Sequence, residues 1–137
     1  MEGQPPMNGV VRVGPEGADD PREFLDGSSR SEVQLPSLRI GRGIYRPGWR
    51  WSQHAGPQTG QPSTAHIGYV EAGRLAVRTA DGAELTVRPG EAFEVGPGHD
   101  AWVVGDEPCI ALDFGPIAGR GGGRREGLGE TALPPTP

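Results

Sequence analysis

From Ser31 onward, short apolar segments alternate with glycine-centred turn signals, and the segments are too short for helices. They predict strands at 32–35, 39–45, 49–54, 65–71, 74–79, 84–87, 92–95, 101–104 and 109–114. Between them lie Ala72-Gly73, Asp81-Gly82, Pro89-Gly90 and Gly96-Pro97-Gly98. Asp-Gly suits a two-residue hairpin because both positions tolerate positive φ. Many short strands at regular spacing point to an antiparallel sandwich or barrel.

Side chains alternate across a strand, so the pattern also assigns faces. In 49–54, Arg50, Ser52 and His54 share one face, and Trp49, Trp51 and Gln53 the other. His66, Gly68 and Val70 oppose Ile67, Tyr69 and Glu71, while Ala101 and Val103 oppose Trp102 and Val104. Two tryptophans on one face need cover, either from the second sheet or from a partner. The chain's three histidines, His54, His66 and His99, all fall at strand edges. Gathered by an all-β scaffold, they would furnish a metal or small-ligand pocket.

Composition changes this picture at the two ends. The 137 residues include 24 glycines and 15 prolines, and in 1–30 and 117–137 these come with serine and charge and little apolar periodicity. Such segments bury too little apolar surface to offset chain entropy, so both are expected to be mostly disordered tails around one domain at 31–116. A core of roughly 85 residues is marginal alone, which favours a homodimer. The net charge of −5 argues against nucleic-acid binding. The cluster Arg120, Arg124 and Arg125, flanked by Glu126 and Glu130, reads as a solvated tail. No apolar run approaches the ~18 residues of a membrane span, and no secretory signal pattern opens the chain. The single cysteine, Cys109, forms no intrachain disulfide and fits a cytoplasmic location.

The segment from about Tyr45 to Phe114 resembles the cupins, small jelly-roll barrels. Their first motif has the form G-x5-H-x-H-x(3,4)-E-x6-G and their second G-x5-P-x-G-x2-H-x3-N. Gly48 and His54 match the opening of the first, Gly73 matches its closing glycine, and His66 stands where the glutamate belongs. The second histidine position falls on Gly56, and 55–65 is longer than the motif allows. In the second motif Gly90 and Gly98 match. Gly96 replaces the proline, His99 lies two residues before the histidine position at Ala101, and Gly105 replaces the asparagine.

The resemblance implies a small-molecule pocket inside the barrel and, in many cupins, one divalent metal ion. The four-ligand set of three histidines and a glutamate is not present in its usual form. A three-histidine site of His54, His66 and His99 could still hold Zn, Fe, Ni or Mn with open positions for substrate. That would make the protein a metal-dependent enzyme, with Arg50 orienting an acidic substrate. The alternative is a non-catalytic, metal-free ligand-binding cupin, using Trp102 and the loop 58–64 for contact. Neither serine-hydrolase nor phosphate-loop motifs occur.

Overall fold

The computed structural model describes residues 9–116. The expected tail at 117–137, with its arginine cluster, lies outside the described residues, as do residues 1–8. Nine strands follow one another: β1 (Arg22–Glu23), β2 (Ser29–Gln34), β3 (Arg39–Tyr45), β4 (His66–Ala72), β5 (Leu75–Arg78), β6 (Glu84–Val87), β7 (Ala92–Val95), β8 (Asp100–Val103) and β9 (Cys109–Gly115). They form a six-stranded sheet, β1-β2-β3-β9-β4-β7, and a three-stranded sheet, β6-β5-β8. Every strand pairing is antiparallel, so the expected all-β jelly-roll is the observed fold.

Strand β3 shows how sequence sets the layers. Arg39, Gly41 and Gly43 are buried and point inward, while Arg42 and Ile44 are exposed on the outer face. The register with β9 continues both rows: Gly41 faces Asp113 and Gly43 faces Ala111, whereas Ile44 faces Ile110 and Ile40 faces Phe114. The inner glycines are required by what lies over them. A Cβ on Gly41 would meet the Arg30 guanidinium, and one on Gly43 would meet the Tyr45 ring. Between the sheets sits the apolar core, which includes Val70, Leu75, Val77, Val87, Val95, Ala101, Val103 and Ala111. Phe24, Tyr45 and Trp49 close one end, with ring centroids 4.5 to 5.9 Å apart.

Two expectations are corrected here. The boundary at residue 31 lies too far downstream, because β1 pairs with β2, and Phe24, Ser28 and Arg30 are buried. Phe24 is a lone apolar anchor in a polar stretch, which is why composition hid it. The strand expected at 49–54 is extended only at its start, where Arg50 bridges Trp102. Trp51–Ala55 then coils into a wide helical turn closed by the Gly56 N–H on the Trp51 carbonyl, and one turn of helix, α1 (Gly56–Thr59), follows. Alternation of Trp49 and Trp51 is genuine, since both are buried, but it stops there. Pro57 near the start of α1 and Gly60, left-handed at its end, are the helix punctuation.

Candidate functional site

A cavity of about 60 Å³ opens inside the barrel. Its apolar wall is Phe24, Tyr45, Trp49, Trp51, Leu75 and Phe93, and its polar groups are Arg30, His66, His99 and Asp113. Most are placed by strand parity or by the turn after β3, while Phe24 directly follows β1 and His99 directly precedes β8. His66, from β4, faces Val95, and Asp113, from β9, faces Gly68, whose missing Cβ leaves room for the Phe93 ring.

Arg30 grips Asp113 with two parallel bonds, Nε to Oδ2 at 2.9 Å and Nη2 to Oδ1 at 2.7 Å. Nη2 also donates to Glu32 at 3.2 Å, and Arg39 lies 3.6 Å from the same carboxylate. Burial opposes the charge on Arg30, but the bonds and field of Asp113, with Glu32 behind it, raise its pKa above the ordinary value. The network is thus two cations against two anions. Burial also pushes the Tyr45 phenol well above its usual range, so it stays protonated.

The two histidines are held alike. His66 Nδ1 lies 2.9 Å from the Thr64 carbonyl, and His99 Nδ1 lies 3.0 Å from the Gly96 carbonyl. A carbonyl only accepts, so each Nδ1 carries the proton and each neutral ring keeps a bare Nε2 lone pair. The rings stand nearly perpendicular, 5.3 Å apart between centroids. Burial lowers both pKa values, with the carbonyl bonds opposing it only in part. Ser63, itself buried, fastens the loop by donating from Oγ to the His99 carbonyl and accepting Gly98 N–H at its own.

Because unfolding restores the ordinary imidazole pKa of about 6.5, the unfolded chain takes up more protons than the folded one just below that value. Stability should therefore be complete above about pH 6.5 and fall progressively as the pH drops through the window beneath it. Urea midpoints measured from pH 8 to 5 should show this slope, and a His66→Phe, His99→Phe double variant should lose most of it. A midpoint unchanged down to pH 5 would refute the assignment.

The structure brings together only part of the residues singled out from sequence. His66 and His99 share the cavity; His54 does not line it. The helical turn carries His54 away, and its Nδ1 accepts the Arg50 N–H at 2.9 Å. Arg50 and Trp102 also lie elsewhere, on the outer face of the three-stranded sheet. There the guanidinium stacks 4.2 Å from the Trp102 ring and donates to Asp100 at 2.9 Å, while Ser52 holds the same carboxylate. Arg50 thus fastens the helical turn to β8. Sequence reasoning missed Arg30, Tyr45, Asp113 and the indoles of Trp49 and Trp51 as site residues. The inward parity of β3 and β9 carried that signal for Asp113 and Tyr45.

A six-on-three antiparallel barrel with histidines facing its interior is a cupin-type jelly roll. Solved structures agree on the fold. KdgF from Halomonas sp. superposes with a TM-score of 0.55 at 22% identity, over 82% of this chain and 97% of its own. A sugar phosphate isomerase of the cupin superfamily from Silicibacter pomeroyi gives 0.55 at 17% identity, over 79% and 76%. A protein of unknown function from Vibrio parahaemolyticus gives 0.54 at 15% identity, over 69% and 95%. No protein-family model and no curated protein matches the chain. Among the described residues, no helix is long and apolar enough to cross a membrane.

The metal set that the fold family implies does not fit these residues. Two imidazoles are available; Asp113 is engaged by Arg30, and the first-motif histidine is turned away. Among the described residues, no group of three histidine, cysteine or carboxylate side chains converges on one point.

Proposed function

We propose that the protein is a small ligand-binding cupin whose barrel cavity takes a small organic molecule without needing a four-ligand metal centre. One observation carries the reading: an aromatic-walled cavity inside the barrel is lined by His66 and His99, each ring fixed through Nδ1 on a backbone carbonyl. Aromatic walls bury the apolar part of a small molecule while a few fixed polar groups orient it. Screening a panel of small polar molecules by thermal shift should find stabilisers, and His66→Phe should weaken their effect. A panel with no stabiliser at millimolar concentrations would count against the reading.

The second reading, a metal-dependent enzyme, is favoured by the two bare Nε2 atoms in one cavity. Elemental analysis of protein purified without a histidine tag distinguishes them. The first reading expects no stoichiometric Zn, Fe, Ni or Mn; the second expects one ion per chain, lost in His66→Ala.

The protein is further proposed to be a cytoplasmic homodimer. Ile44, Ile67 and Tyr69 are exposed on the outer face of the larger sheet, and register places them opposite Ile110, Phe114 and Leu112 of β9. A second copy of the chain would cover this face. Light scattering should give twice the 14.4 kDa chain mass, and Ile44→Glu with Ile67→Glu should return the monomer.

A further inference from the structure

The inner face of the larger sheet is built around a cation of the chain's own. Register sets Glu32 of β2 and Asp113 of β9 on either side of Gly41, with Arg30 opposite Gly43 one step along the same face. Gly41 makes the arrangement possible: its missing Cβ is the space that the Arg30 guanidinium fills, and any side chain there would meet Nη2, Cζ and Nε. Lodged there, the guanidinium donates to both oxygens of Asp113, at 2.9 and 2.7 Å, and to Glu32 at 3.2 Å. The Arg30 side chain is only 9% exposed, so the grip is held out of bulk water. Arg30 and Asp113 line the same cavity as His66 and His99.

These groups act on one another. The imidazole rings lie 5.3 Å apart between centroids, and each keeps a bare Nε2. Burial is the main cause of the lowered His66 pKa, with the Thr64 carbonyl against it. Beneath these, the field of Asp113 favours positive charge on the ring, while His99 and Arg30 oppose it. Two imidazoles and one carboxylate are a sufficient protein ligand set for a divalent ion such as Zn²⁺. Here the carboxylate is committed. Each of its oxygens accepts from a guanidinium, whose charge is permanent and repels a second cation. Resting on the reading of the cavity as a metal-free ligand site, we propose that Arg30 is the barrel's resident cation, standing in for a divalent ion. Its grip on Asp113 is what keeps His66, His99 and Asp113 from binding such an ion. Glu32 would stay opposite Arg39 if Arg30 were neutral, so the uncovered charge would be that of Asp113.

The test is Zn²⁺ binding by the full chain, purified without a histidine tag and followed by calorimetry, with the visible absorption of Co²⁺ as a second readout. The parent should hold Zn²⁺ weakly and without one-to-one stoichiometry. Arg30→Gln keeps a neutral hydrogen-bond donor, and Arg30→Met keeps only apolar volume. Each should bind one Zn²⁺ per chain, tighter than the parent by on the order of tenfold or more. Adding His66→Phe or Asp113→Leu to Arg30→Met should abolish the gain, the latter in a barrel whose buried charges are again balanced. A variant that does not fold alone should recover its β-sheet spectrum in the presence of Zn²⁺, and failure of both variants to do so would overturn the proposal. Folded variants with no gain, beside a metal-free parent, would overturn it and leave the ligand-site reading standing. A gain that survives His66→Phe would also overturn it, because the ion then sits elsewhere. One tightly held Zn²⁺ per chain in the parent would overturn the proposal and the metal-free reading together.

Discussion

Asp113→Ala should lower the melting temperature by on the order of 15 °C or more, the largest effect expected of any polar substitution in the barrel. Removing the carboxylate leaves the Arg30 guanidinium buried without its bidentate partner, and breaking such a pair costs about 3–5 kcal/mol. For a domain of this size each kcal/mol moves the midpoint by roughly 4–8 °C. Glu32 cannot take over, because it already lies between Arg30 and Arg39. The charge, rather than the lost contact, is the cause. Arg30→Met with Asp113→Leu, which removes both charges and keeps apolar volume, should regain most of the loss. Thermal and urea melts of the three variants decide it. A single Asp113→Ala variant within about 1 kcal/mol of the parent would show the pair to be solvated.

Gly73→Ala should destabilise by about 3 kcal/mol, whereas the same change at Gly82 should cost about 1 kcal/mol. Both residues sit in turns with positive φ, +74° and +96°, where an L side chain is strained. Only at Gly73 would the new Cβ also meet backbone, overlapping the Pro108 oxygen and lying 2.7 Å from the Cys109 Cα. Backbone of a paired strand cannot step aside as a side-chain tip can. At Gly82 nothing lies within 4 Å, so the conformational term stands alone. Equal urea midpoints for the two variants would refute the steric account.

Most of the sheet was legible because strand alternation and glycine turns are local signals. Strands 39–45, 84–87 and 92–95 were expected at the bounds observed for β3, β6 and β7. The failure at 49–54 came from reading two buried tryptophans as a full strand. The pattern Gly56-Pro57 with Gly60 marked a helical turn, and Gly56 is needed there because a Cβ would meet the Trp51 ring. The candidate site was less legible for a physical reason. His66 followed from spacing, but Arg30 and Asp113 are 83 residues apart in sequence and become partners only through the register of β2, β3 and β9. Motif alignment also drew His54 inward, where the helical turn turns it out. Arg50 and Trp102, expected as ligand contacts, pack on each other on the outer face of the smaller sheet.

Cys109, at the start of β9, gives the fold a chemical clock. Its side chain has no exposed surface, and burial pushes the thiol pKa up to about 11, so the thiolate that alkylating reagents attack is scarce while the barrel is closed. Tyr45 pairs with it on the adjacent strand, at the centre of the larger sheet. Labelling of the chain's single cysteine therefore follows the opening of that central strand pair, not breathing at the sheet edges. Its rate in excess reagent reads the barrel's opening equilibrium under native conditions, with no probe added to the protein.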